Sequence, residues 1–170
     1  MDIIVTTPKS EMRNAAKEAA DAIAAGGGEY FRRFSLHHYP GLLNVGDRVY
    51  YVEDGYVRGF ALVREIVKRD TSMRCDTTGI VWPPGVYVFM RADSWQWIKP
   101  IPMKGFQGFC YAVKQPLFDC KDGKATQYDA LMAGNKIIGK IEITGGWRDK
   151  KLCVTNMDLC TQFATNGVRK

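Results

Sequence analysis

No apolar run in the 170-residue sequence approaches the ~20 residues that a membrane-spanning helix requires. The opening MDIIVTTPKSEMR carries no basic segment followed by an apolar core, so no secretory signal is expected. The five cysteines, Cys75, Cys110, Cys120, Cys153 and Cys160, contain no CxxC pair, the spacing that a structural zinc site favours. An odd count without a secretion signal points to reduced thiols and a cytoplasmic protein. Histidine is scarce: His37 and His38 are the only two, and on an extended chain neighbours face opposite ways. No third ligand stands near them, so the expectation is neither a metal nor a cofactor. Asp119, Asp122, Asp129 and Glu142 read as solvated polar residues, because nothing in their spacing fixes a metal-binding geometry.

What is present is basic and ordinary. Lys and Arg number 24 against 18 acids, a net charge of +6. That favours anionic partners, although a charge of this size also serves solubility. The hydrophobic fraction of 46% and charged fraction of 25% suit a globular protein. The length suits one domain with its own core.

Asp2 to Thr6 reads as a first strand. Thr7 as N-cap and Pro8 at the first helical position then open a helix running to Ala25. Met12, Ala15, Ala16, Ala19, Ala20 and Ile23 share one face, mostly alanine, so the helix can lie close on a sheet. Gly26-Gly27-Gly28 follows this helix, which makes the triplet a helix stop rather than a phosphate loop. Tyr30 to Leu36 is a second strand. Val45 to Val67 is a hairpin about Asp54-Gly55, a pair suited to a tight primed turn. Gly59 in its second arm marks a bulge or a close backbone approach. Lys68 to Pro84 reads as irregular, Gly85 to Met90 as a strand, and Gly108 to Val113 as a returning strand. In the tail, Thr126 to Ala133 is expected as a short helix, Lys136 to Thr144 as a strand, and Asn156 to Ala164 as a helix. The expected fold is α+β: a small, curled, mainly antiparallel β-barrel with an N-terminal Ala-rich helix and few others. One domain is expected over residues 1–170, with a core to 113 and an extension of uncertain role from 114.

The segment DSWQWIKPIPMKGFQGFCYAV concentrates Trp95, Trp97, Phe106, Phe109 and Tyr111 among prolines and glycines. Pro100 and Pro102 exclude a helix. Phe109 and Tyr111 share a strand face and belong with a core, Cys110 facing the other way. Trp95, Trp97 and Phe106 are the residues to expect at the mouth of a cleft, where a nucleobase can stack. Ser94, Gln96 and Gln107 can meet base edges, and Arg91, Lys99 and Lys104 can meet phosphates. Arg32, Arg33, His37 and His38 form a second basic cluster with the same potential partner. The plainer alternative is that the aromatics fill a core and the basic residues are solvated.

The succession of strand, helix, strand and VGDRVYYVEDGYVRGFALVREI resembles the PUA-like superfamily, particularly its ASCH and EVE branches. Gly46, Asp47, Val49, Gly59, Val63 and Ile66 are the matching residues, and the resemblance covers roughly Ile3 to Val113. It implies a pseudobarrel whose cleft takes RNA or a modified base. Some ASCH proteins are hydrolases of a modified nucleoside or ribonucleases, with a motif G-x-K-x-x-E-x-R after the first helix. Here the run is Gly26 to Arg33. Gly26 and Arg33 fit, while Gly28 and Phe31 stand in the lysine and glutamate slots. The leading expectation is therefore a nucleic-acid-binding module. The alternatives are an ASCH-type hydrolase, inspected first at His37 or His38 with Glu29 and at Tyr30 with Lys104, or a protein–protein interaction domain.

Overall fold

The computed structural model describes residues 1–7, 14–75 and 79–146. Pro8, Met12, Cys153, Cys160 and the helix expected over 156–164 lie outside the described residues. The chain runs β1 (Asp2–Thr6), α1 (Ala15–Ala24), β2 (Glu29–Phe34), β3 (Arg48–Glu53), β4 (Tyr56–Arg69), β5 (Met73–Arg74), β6 (Val81–Trp82) and β7 (Gly85–Arg91). After a 3-10 turn at Ala92–Ser94 come β8 (Gln96–Pro102), β9 (Phe109–Lys121), β10 (Lys124–Ala133), β11 (Lys136–Lys140) and β12 (Ile143–Gly146). This is a sheet-rich α+β fold. Among the described residues no helix is long and apolar enough to cross a membrane.

The main sheet has the order β11-β10-β9-β1-β3-β4-β7-β2, with β8 and β12 branching from β4. Its pairing is antiparallel except between β1 and β3, which run parallel with Thr6 opposite Val52. The short β1 lies between β3 and β9, and Ile3, Ile4 and Val5 are all buried. The long β4 pairs with β3 and β8 through its first half and with β7 through its second.

The Asp54-Gly55 turn is as its sequence demands, with φ of 50° and 81°. Gly59 is the close approach: a β-carbon there would stand 2.7 Å from Cζ2 of Trp95. Register slips on both sides of it, against β3 and against β8. The helix presents Ala15, Ala16, Ala19 and Ala22 to the larger core, beside Tyr30, Tyr51 and Met90. A second core on the other side of the sheet holds Ile4, Tyr50, Val52, Phe60, Ile98 and Leu131.

Several expectations need correction. Asn14, not Thr7, caps α1, its side chain accepting from the Lys17 N–H at 2.8 Å. Thr7 instead prolongs β1, its N–H bonded to the Val52 carbonyl at 3.0 Å. Lys68 to Pro84 is not wholly irregular, since β4 reaches Arg69 and β5 pairs with β6. Thr126 to Ala133 is strand, not helix. The Asp122-Gly123 turn, with φ of 51° and 71°, folds β10 back along β9 in unbroken register from Lys124 to Met132. Strand β9 runs from Phe109 to Lys121, across residue 113.

Candidate nucleic-acid interface

The carboxyl ends of β1 and β3 bring the most chemistry together. The Thr6 carbonyl accepts a hydrogen bond from the Arg32 guanidinium, which also lies 5.9 Å over the Tyr51 ring. The Thr6 hydroxyl accepts from the Phe106 N–H at 3.0 Å, which ties the loop between β8 and β9 to the end of β1. Lys104 and Gln107, on that loop, are exposed. Where the loop enters β9, the His38 ring lies 5.0 Å from Phe109 at 31°, nearly stacked. His37, beside it, is exposed in the turn after β2. The Arg32 guanidinium and the Phe106 N–H thus meet at Thr6, the latter from the loop that carries Lys104 and Gln107, while the Phe106 ring packs against the second core and His38 lies on Phe109 at the start of β9.

Beneath this surface sit three buried ionisable groups. Glu53, at the end of β3, accepts from the Ala15 N–H at 2.8 Å and from the Thr7 hydroxyl at 3.3 Å. Burial pushes its carboxyl above the usual range, against the lowering effect of those two hydrogen bonds. Burial likewise raises the Tyr30 and Tyr51 hydroxyls. The sequence reading missed Thr6, Thr7 and Glu53. The available signal was position, because the end of one β-branched strand and the end of another become neighbours only if the two pair in parallel.

A second concave surface, of about 580 Å³, lies where β4, the 91–96 segment and β12 meet. Phe60, Leu62, Arg91, Ser94 and Gln96 line it together with β12. Arg91 is engaged by Asp93 through two bonds of 3.0 and 3.1 Å. The Ser94 hydroxyl donates to the Arg91 carbonyl at 2.6 Å and accepts from the Leu62 N–H at 2.9 Å, so it braces the turn.

Comparison with family models, curated proteins and solved structures finds no match.

The expectation for the tryptophans is overturned. Trp95 is 1% exposed and Trp97 5%, so neither ring stands at the mouth of a cleft. Trp95 packs against Tyr51 and Trp97, with centroids at 5.7 and 5.3 Å. The reason is Gly59, whose missing side chain makes room for the Trp95 ring. Arg33 points away from Arg32, as alternation along a strand requires, and donates to the Pro83 and Pro84 carbonyls. Lys99 pairs with Glu142 at 3.7 Å. Of the acid–base pairs to inspect, Glu29 is held by Arg64, and Tyr30 is in the core while Lys104 is exposed.

Proposed function

We propose that this protein binds RNA or a modified nucleobase at the surface around Thr6, and that its curled sheet is a PUA-like pseudobarrel working in the cytoplasm. One observation carries the reading: Arg32 and the Lys104, Phe106 and Gln107 loop are fixed to the same residue at the ends of the parallel strands. Ligand crevices form beyond such carboxyl ends in parallel sheets. The groups on this surface and its loop match the needs of an unpaired base, with cations for phosphate, an amide for a base edge, and the His38 ring for stacking. The net charge of +6 supports an anionic partner.

The test is fluorescence anisotropy with short single-stranded oligonucleotides, modified and unmodified, across a salt series. Affinity should fall steeply with salt. Lys104→Ala should weaken binding to all sequences alike and flatten the salt slope by about 0.7 in log–log terms. His38→Ala should weaken binding without changing that slope. Absence of binding at about 50 mM salt refutes the reading. Binding that persists unchanged to high salt, through an apolar partner, points to a protein interaction domain instead.

A second reading, hydrolysis of a modified nucleoside at the same place, is favoured by the Thr7 hydroxyl resting on the Glu53 carboxylate. A hydroxyl beside a buried carboxylate of raised proton affinity is poised for general-base activation. Glu53→Gln should abolish turnover but spare binding.

A further inference from the structure

The outer face of the β4-β7-β2 sheet, opposite α1, carries an aromatic group that the Thr6 site does not use. Strand alternation sends Tyr30 and Phe34 inward from β2, and Val86, Val88 and Met90 inward from β7. Phe31 and Arg33 on β2, and Tyr87, Phe89 and Arg91 on β7, therefore share the opposite face. Phe31 is opposite Phe89 and Arg33 opposite Tyr87, while on the far side Glu65, Val67 and Arg69 face Phe89, Tyr87 and Gly85. Tyr87 is fully buried and donates its hydroxyl to the Pro83 carbonyl at 2.6 Å, forming the floor. Trp82, from β6, meets Phe31 edge-on at 5.8 Å. Phe31 and Phe89, 5.7 Å apart, remain partly exposed, as does Trp82.

Two cations flank these rings. Arg33 is held at 3.1 and 2.5 Å by two carbonyls, which orient its guanidinium without cancelling its charge. Arg69 is exposed, and no ion pair joins it or Arg33 to an acid among the described residues. The acids on this face are Glu29, engaged with Arg64, and Glu65, whose carboxylate can accept from a base's amino group.

We propose that this face is a second binding surface, for single-stranded nucleic acid, with bases stacked on Phe31 and Phe89 and phosphates at Arg33 and Arg69. Sequence-tolerant stacking on exposed rings flanked by arginine is how sheet surfaces hold unpaired strands. It shares with the Thr6 reading the class of ligand but none of its residues.

The test uses the full chain and a short oligonucleotide containing 4-thiouridine. Ultraviolet cross-links should map to residues 29–33 and 81–91. In anisotropy at low salt, Phe31→Leu and Phe89→Leu, which retain apolar bulk, should each weaken binding roughly tenfold. Cross-links confined to residues 103–109, with both leucine variants binding like wild type, overturn this proposal and leave the Thr6 site standing. Loss of binding in the leucine variants, with Lys104→Ala unaffected, does the reverse. No binding by the wild-type chain overturns both.

Discussion

Replacing Gly59 with alanine should be among the most damaging single-methyl changes in this chain. The added carbon would lie 2.7 Å from Cζ2 and 3.1 Å from Cε2 of the Trp95 indole. Carbon atoms in contact settle at about 3.5–4.0 Å, so one side must move by roughly 1 Å. The indole has nowhere to go, because it is fully buried between Tyr51 and Trp97. The methyl would also press on the Gln96 carbonyl, part of the strand opposite Phe60. Relief requires β4 and β8 to part, breaking ladder hydrogen bonds as well as packing. Overpacking of a tight core costs about 1–3 kcal/mol, and the backbone clash places this case near ~3. For a chain of this size that lowers Tm by roughly 6–12 °C. Calorimetry at neutral pH is the assay, with near-ultraviolet dichroism reporting the tryptophan environment. A Tm within about 1 °C of wild type would refute the approach of β8 to β4, and with it the explanation for the buried indole.

Gly55→Val should destabilise the chain by about 1 kcal/mol or more in denaturant titration, because a β-branched residue resists a φ of 81°; an unchanged midpoint would exclude the primed turn. Glu53→Gln keeps an oxygen for the Ala15 and Thr7 donors but removes the titration. Burial raises the folded-state value, so the folded chain holds that proton more tightly than the unfolded chain. The Glu53 contribution is therefore greatest below the unfolded value of about 4.3 and declines as pH rises through the folded value. Tm of the variant relative to wild type should climb over that window, and parallel Tm–pH curves would count against a buried, titrating Glu53.

Much of the amino-terminal half was legible because its signals are local. The Asp2–Thr6 strand, the alanine stripe, the Asp54-Gly55 turn and the glycine at 59 each act through neighbours in sequence. What escaped depends on distant partners. Strand β8 was hidden by Pro100 and Pro102, which are tolerated because one falls in the irregular stretch between Val57 and Gly59 and the other ends the strand. Trp95 and Trp97 looked like surface rings among turn residues, yet the vacancy that receives Trp95 is a glycine far upstream. Thr126 to Ala133 looked helical by spacing, and only the pairing with β9 decides otherwise. At the candidate site, Arg32, Lys104, Phe106 and Gln107 were legible as residue types. Thr6 and Glu53 were not, since their roles arise from parallel pairing. Phe31 and Phe89 were open to a reading by alternation, because strands with apolar residues on both faces need cover on both.

The placement of β1 has a consequence for synthesis. Residues 2–6 form the centre of the sheet, flanked by β3 and β9. On the ribosome, β3 follows soon after, but β9 emerges only about a hundred residues later, a wait of roughly 5–20 s at ordinary elongation rates. Throughout that interval the Ile-Ile-Val strand has an unpaired edge on an incomplete chain, the condition under which strands pair with the wrong neighbour. Slow synthesis or overexpression should therefore expose this chain to aggregation before it has folded, whatever the stability of the finished protein.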